Sequence, residues 1–371
     1  MKILAIPRSN DKKYSFELFE LLRHYQNEVV TFIGGSKIPD IEFFSVLNRI
    51  KDPFIFENEL IAKKLEKVLS KDKFNFVWNL GLNREYLPYI TDQTREKNIR
   101  LIQTVPDDAI VVDDQNPLSH LVFGNSQNCN VDNTLKFYEP DIDLFIVHSR
   151  FMKNLMIQSG VEEEKLVHIP IFVDAQKYTP YYKSEDYFVY KYTQDDKKDL
   201  LRFLRVMERL PKHKMIIIGH KEDAQELDEI LDGYKSDNIL RLCNLNQAQK
   251  QQIVQLARFI LVLSHSKQKQ ILESYAIGKP VLAKDFGANN EYVVSMYSGL
   301  LFDNNTLETA RKVDYMMKDK EFCRDAGAFA RNLVENCFDK QSHYSKIFRS
   351  FHSLNAKRRS GFNPEDYLNI S

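Results

Sequence analysis

Apolar and polar positions alternate along the chain in a pattern that predicts strands followed by helices. Short apolar runs typical of buried parallel strands occur at Leu144–Val147, Met215–Gly219 and Leu261–Leu263. Apolar residues at helical spacing predict helices at Arg150–Ser159 and Asp199–Arg209. Alternating strands and helices form doubly wound parallel sheets with right-handed crossovers, so the predicted fold class is α/β.

One βαβ unit is especially clear in the second half of the chain. The strand Leu261–Leu263 leads to Ser264, which we predict to cap the following helix. Gly278 stands where a helix needs a left-handed stop, and Pro280 prevents its continuation. A further strand is predicted at Val281–Ala283.

The 371 residues suffice for two domains, each with its own core. We predict one Rossmann-like domain over residues 1–172 and a second over 173–340, followed by a C-terminal helix and tail over 341–371 that pack on the first domain. In the first domain, Asp107–Asn133 is polar and predicts a long irregular stretch. A last helix is predicted at Gln341–Ser353, followed by a basic tail that contains Lys357, Arg358 and Arg359.

Composition excludes several classes of protein. Lys plus Arg and Asp plus Glu both number 52, and this balance argues against a nucleic-acid binder. The four cysteines form no CxxC pair and are typical of free thiols in a reducing compartment. The sequence shows neither a secretory signal nor an apolar run of about 18 residues, so we expect a cytoplasmic protein. The basic tail is consistent with peripheral contact at the inner membrane face.

The βαβ unit resembles the nucleotide-sugar half of a GT-B glycosyltransferase of family 4, the retaining enzymes. That family has two glutamates eight positions apart, followed by Ala-x-Gly-x-Pro-Val. Glu273 matches the second glutamate, and the matching positions after it are Ala276, Gly278, Pro280 and Val281. His265 stands in place of the first glutamate. The resemblance implies two Rossmann-like domains with a cleft between them.

The same resemblance implies a set of donor-binding residues. Lys191 and Lys197 approximate the family's basic pair and would hold the diphosphate, with Tyr192 in the arginine's place if Lys197 is aligned without an insertion. Glu273 would accept hydrogen bonds from ribose hydroxyls. Gly287 and Glu291 lie in a segment similar to the family's Asp-x-Gly-Gly-x-x-Glu loop. The charged residues have ordinary explanations as well. The two lysines could belong to a solvated charged turn, Glu273 could be an exposed helical glutamate, and Glu291 could be a carboxylate favoured by a helix dipole.

Two candidate catalytic residues complete the set. His265 would meet the transferred sugar, and a structural or vestigial role is also open to it. Asp107, or its neighbour Asp108, stands where the family often has a histidine near the sugar. Arg8 follows the first strand, where the family often has a glycine-rich loop, and could contact a phosphate or an acidic acceptor.

These observations predict a hexosyltransferase-like enzyme that transfers a sugar from a nucleotide-diphosphate sugar, with retention and without a metal or other cofactor. The acceptor would be a glycan, a lipid-linked molecule or a protein, and homo- or hetero-oligomers are both compatible with the sequence. The losses at His265 and the glycine loops keep open a non-catalytic pseudo-glycosyltransferase that stabilises an active homologue. A sugar-nucleotide epimerase is a third interpretation, which the family 4-like spacing disfavours.

Overall fold

The computed structural model describes residues 2–6, 28–31, 65–71, 73–81, 87–112, 129–131, 139–193, 197–234, 237–264 and 267–360. His265 and Arg8 therefore lie outside the described residues. Contacts divide the chain into two compact units, which part at Ile169/Pro170 and at His343/Tyr344. The first unit includes the residues from Tyr344 onward.

The first unit contains a parallel sheet in the order β2-β1-β3-β4-β7-β8. Its strands are β1 Lys2–Ile6, β2 Glu28–Thr31, β3 Phe76–Asn79, β4 Arg100–Val105, β7 Leu144–Val147 and β8 Leu166–His168. Its described helices are α1 over residues 65–71, α2 Leu87–Glu96 and α3 Arg150–Gln158. β1, β3, β4 and β7 bury nearly every side chain, as strands covered on both faces must.

The second unit contains a parallel sheet in the order β11-β10-β9-β12-β13-β14. Its strands are β9 Tyr187–Lys191, β10 Lys214–Ile218, β11 Ile239–Leu242, β12 Ile260–Val262, β13 Val281–Lys284 and β14 Gly299–Phe302. Its helices are α4 Lys197–Met207, α5 Ala224–Asp232, α6 Gln247–Leu256, α7 Gln268–Ala276, α8 Asn289–Tyr292, α9 Thr306–Lys318 and α10 Lys320–Cys337. The predicted α/β class, with two doubly wound sheets, is confirmed.

Alternate residues of the second sheet supply two separate cores, one on each face. Leu261 and Leu282 face one cluster, which includes Phe203 of α4 and Val313 of α9. Their neighbours along β12 and β13 face the other cluster, which includes Tyr275 of α7. This division follows from the period of two in a strand, which sends successive side chains to opposite faces.

The last helix, α11 Lys340–Ser360, returns to the first unit as predicted. The ring of Phe351 lies 5.2 Å from that of Trp78 and 5.5 Å from that of Phe76, both in β3. Arg100 of β4 donates to the carbonyl of Leu354. The helix continues to Ser360, so the backbone of Lys357, Arg358 and Arg359 is helical and the expectation of a tail after residue 353 was wrong.

Two local predictions need correction. Asp107–Asn133 is not irregular throughout, because β5 Ile110–Val112 and β6 Cys129–Val131 form an antiparallel pair. Ser264 does not cap α7: the helix begins at Gln268, with Lys267 in the cap position. Gly278 does adopt the predicted left-handed conformation, with φ of 78°, and a side chain there would also meet the Tyr182 ring.

Within the described part of the chain, none of the helices is both long and apolar enough to cross a membrane.

Candidate functional site

The strand order of the second unit places Lys191 at a topological switch point. β9 pairs with β10 on one side and with β12 on the other, so the direction of chain progression reverses between β9 and β12. In open α/β sheets, ligands bind at the carboxyl ends of the strands at such a switch point. Lys191 is the last residue of β9, and Ser264 follows the carboxyl end of β12.

Glu273 faces away from the core because of the helical spacing of its neighbours. Ile271, Leu272 and Tyr275 are fully buried, and this fixes the orientation of α7 against the sheet. The Glu273 side chain keeps 25% of its surface exposed. Its Oε1 accepts a hydrogen bond of 3.2 Å from the Tyr178 hydroxyl, and its Oε2 lies 4.0 Å from Lys191 Nζ.

Lys191 and Glu273 thus form an ion pair in a partly desolvated position. Burial lowers the pKa of the Lys191 ammonium, whereas the nearby Glu273 carboxylate acts in the opposite direction and Lys250 adds a smaller lowering effect. A lysine donates up to three hydrogen bonds and a carboxylate accepts several. Lys191 can therefore bind an anionic group while Glu273 binds a neighbouring hydroxyl group.

Lys197, the second predicted diphosphate ligand, begins α4 and pairs with a different acid. Its Nζ lies 3.0 Å from Glu226 Oε1 of α5. Tyr192, in the place of the family's arginine, is buried and donates a hydrogen bond of 2.8 Å to Glu226 Oε2. Both donors lower the pKa of Glu226 and hold it ionised. Sequence reasoning missed Glu226, because 29 residues separate it from Lys197 and it sits in no recognisable motif.

The loop after β13 has the backbone that its glycine suggested. Gly287 adopts a left-handed φ of 62°, which residues with a side chain rarely take. Glu291 lies in the first turn of α8, where a carboxylate is favoured by the helix dipole. Asn289, which sequence reasoning did not single out, donates to the carbonyls of Ser264 at 3.2 Å and Lys284 at 2.9 Å. It therefore ties together the carboxyl ends of β12 and β13.

Asp107 lies in the first unit, buried just beyond the carboxyl end of β4. Its Oδ1 accepts a hydrogen bond of 2.5 Å from Ser149 Oγ, and Ser149 in turn caps α3 by accepting from Met152 N at 3.0 Å. This contact gives Asp107 a role in fixing the start of α3. His148, adjacent to Ser149, was not among the predicted site residues. Its Nδ1 lies 2.9 Å from the Ile169 carbonyl, so that nitrogen carries the proton and donates.

Among the described residues, Lys191 and Glu273 form an ion pair, and Tyr178 donates a hydrogen bond to Glu273. Lys197 forms its ion pair with Glu226 instead. The contacts of His265 lie outside the described residues.

Comparison with known proteins shows similarity to glycosyltransferases. Residues 175–333 match the family model described as "Glycosyl transferases group 1". A protein of Methanocaldococcus jannaschii described as an uncharacterized glycosyltransferase is 24% identical over 144 residues. That match spans 36% of this chain and 36% of the relative, about a third of each.

Three solved structures share the fold over nearly the whole chain. A glycosyltransferase from Rickettsia africae is 16% identical with a TM-score of 0.71, covering 95% of this chain and 98% of its own. Anabaena Alr3699/HepE, solved with UDP and glucose, is 16% identical with a TM-score of 0.70, covering 95% and 100%. Sucrose-phosphate synthase from Thermosynechococcus elongatus is 14% identical with a TM-score of 0.75, covering 96% and 100%. Residues 175–333 thus match the glycosyl transferases group 1 family model, and the chain shares the GT-B fold with solved glycosyltransferase structures.

Proposed function

We propose that this protein transfers a sugar from a nucleoside diphosphate sugar to an acceptor hydroxyl. The observation that carries the proposal is the Lys191–Glu273 pair at the switch point of the family-matched domain. A UDP-sugar is the first donor to test, since the structural relative Alr3699/HepE has been solved with UDP and with UDP-glucose.

The proposed chemistry requires charge stabilisation more than covalent assistance. The bond between the anomeric carbon and the diphosphate oxygen breaks, and the diphosphate leaves with the electron pair. The oxygen of the acceptor hydroxyl forms the new bond to the anomeric carbon, and its proton passes to the departing diphosphate. Lys191 would stabilise the negative charge that grows on the leaving diphosphate, and Glu273 would accept hydrogen bonds from the ribose. Tyr178 would hold Glu273 in position through its hydrogen bond of 3.2 Å.

Retention of anomeric configuration and independence of metal are parts of the proposal that follow from the family 4 resemblance. They need their own measurements. The anomeric configuration of the product can be determined by proton NMR. Turnover in the presence of a chelator should equal turnover without it, and restoration of chelated activity by Mg²⁺ or Mn²⁺ would contradict metal independence.

The central experiment is a binding and turnover screen of nucleoside diphosphate sugars with the full chain. Thermal shift identifies the nucleotide and the sugar, and donor hydrolysis is then measured for each hit. We expect stabilisation by a UDP-sugar and release of UDP. Absence of binding by every donor would contradict the proposal.

A non-catalytic partner of an active glycosyltransferase is the second candidate function. It is favoured by His265 in place of a glutamate and by the pairing of Lys197 with Glu226, which leaves that lysine's charge already compensated. Donor binding without any turnover, together with stimulation of an active homologue on mixing, would support this candidate over the enzyme.

The acceptor is proposed to be a glycan, a lipid-linked molecule or a protein. A lipid-linked acceptor would suit the basic residues of α11, which include Lys346, Arg349 and Lys357. Basic residues near an anionic surface each contribute about 1 kcal/mol. Co-sedimentation with liposomes should then rise with anionic lipid content, and indifference to that content would dismiss the membrane contact.

A further inference from the structure

A cavity lies in the second unit, and its lining includes neither Lys191 nor Glu273. It has a volume of about 310 Å³ and opens between α4, the ends of β12 to β14 and the start of α9. Four apolar side chains line it: Phe203, Val206, Leu263 and Phe302. The size falls at the lower end of the range of about 300–1,000 Å³ that is typical of small-molecule sites.

The cavity and Glu273 lie on different faces of the second sheet. The four apolar lining residues all belong to the core cluster that contains Leu261 and Leu282. Glu273 lies on α7, whose buried residues belong to the cluster on the opposite face. A ligand in the cavity would therefore not need to displace a nucleotide held by Lys191 and Glu273.

Charged side chains at the cavity leave an excess of positive charge. Lys284 Nζ lies 2.7 Å from Asp199 Oδ1, and Arg202 reaches the same oxygen at 3.6 Å. The Asp199 carboxylate is thus shared by two cations, Lys284 and Arg202. Arg205 also lines the cavity, and none of the described residues forms an ion pair or a side-chain hydrogen bond with it.

Two further polar groups of the lining are already engaged in local structure. Asp303 Oδ1 accepts from Asn305 N at 2.8 Å, and Thr309 Oγ1 donates to the Asp303 carbonyl at 3.1 Å. These contacts hold the turn before α9 and fix the shape of that wall. Counting Asp303, the lining holds three cations and two carboxylates, and within the described ranges no acid pairs with Arg205.

We propose that this cavity binds a small organic phosphate with a ring-sized apolar body. The guanidinium groups of Arg202 and Arg205 match the planar, two-point geometry by which arginine binds phosphate. The rings of Phe203 and Phe302, with centroids 6.0 Å apart, offer an apolar surface to the body of the ligand. The phosphate supplies the negative charge that the cavity lacks.

Phenyl phosphate is a suitable probe because it combines one ring with one phosphate. Calorimetry on the full chain should show saturable binding, with inorganic phosphate and phenol each binding more weakly. Arg205→Gln removes the charge without leaving a carboxylate unpaired, and should weaken phenyl phosphate binding by about tenfold, as loss of a charged hydrogen bond does. Arg209→Gln is the matched control, because Arg209 is exposed near the end of the same helix and does not line the cavity. The Arg209→Gln variant should bind phenyl phosphate with the same affinity as the wild type.

A second comparison separates this cavity from the donor site. Saturating UDP and the Glu273→Gln variant should both leave phenyl phosphate binding intact. Displacement by UDP, loss of binding in Glu273→Gln, or equal affinity in wild type and Arg205→Gln would each overturn the proposal. So would inorganic phosphate that binds as tightly as phenyl phosphate, because the apolar wall would then have no role.

Discussion

Lys191 Nζ lies 4.0 Å from Glu273 Oε2, although the two residues come from different elements of the second unit. Lys191 ends a strand, and Glu273 stands on the helix that follows the adjacent strand in the sheet. The pair keeps a carboxylate and an ammonium at the switch point, where neither is fully removed from water. Because the Lys191–Glu273 pair lies at the switch point, it is the first target for mutation.

Glu273→Gln should weaken UDP binding by about tenfold while the protein remains folded, because a charged acceptor of hydrogen bonds becomes neutral. The amide keeps the size of the side chain and its contact with Tyr178. Calorimetry with UDP and thermal unfolding should be measured together. Glu208 is an exposed residue of the same unit, so Glu208→Gln is the control. Early melting with unchanged UDP affinity would show that Glu273 is structural.

Lys197→Ala tests whether this lysine binds the diphosphate or only Glu226. As a ligand, its loss should weaken UDP binding by about 1.5–3 kcal/mol, the usual contribution of a charged hydrogen bond. As a partner in an exposed ion pair, its loss should change the stability of the protein little, because exposed pairs are screened by solvent.

Glu226→Gln provides the comparison for Lys197. It breaks the ion pair but leaves the lysine available to a ligand. UDP affinity that falls in Lys197→Ala and holds or rises in Glu226→Gln assigns the lysine to the diphosphate. Equal UDP affinity in wild type and Lys197→Ala would remove the lysine from the site.

His265 distinguishes an enzyme from a non-catalytic partner. If His265 contacts the sugar or the acceptor, His265→Ala should reduce turnover and leave binding of the bare nucleotide nearly intact. Its protonation should then alter the rate between about pH 5 and 8. His265→Glu restores the residue of the resembled family and should retain or raise activity. Sugar release that is identical in wild type and both variants would exclude a catalytic role for His265.

Lys279 should make stability depend on pH. Burial lowers the pKa of its ammonium to about 8, while Nζ donates to the Lys183 carbonyl at 2.8 Å. Between about pH 8 and the ordinary value of 10.5, the unfolded chain binds the additional proton. The free energy of unfolding of the wild type should therefore rise relative to Lys279→Met across this window, by at most about 3 kcal/mol.

Chemical denaturation at several pH values checks the Lys279 prediction. Lys212 is exposed, so the free energy of unfolding of Lys212→Met should vary with pH as that of the wild type does. A difference between wild type and Lys279→Met that stays constant from pH 7 to the upper end of the window would show that the lysine does not titrate there.

Local sequence determined those features that depend on the conformation of a few adjacent residues. Gly278 was predicted to stop a helix because its need for a positive φ is set by its own backbone, and it has that conformation. The β12–α7–β13 unit was likewise evident from apolar spacing, which directly reflects the period of each element. The start of α7 was less predictable, since several polar residues in a row offer competing caps.

Only the tertiary structure decided which side chains meet. Tyr178 and Glu273 are 95 residues apart, and no spacing rule connects a residue that precedes β9 to one on α7. The pairing of Lys197 with Glu226 depends on how α4 and α5 follow neighbouring strands, so the sequence alone left that lysine equally suited to a phosphate. Sequence patterns determine periodicity and backbone freedom because these are local. Strand order and long-range contacts follow from the free energy of packing the whole unit, which no single segment contains.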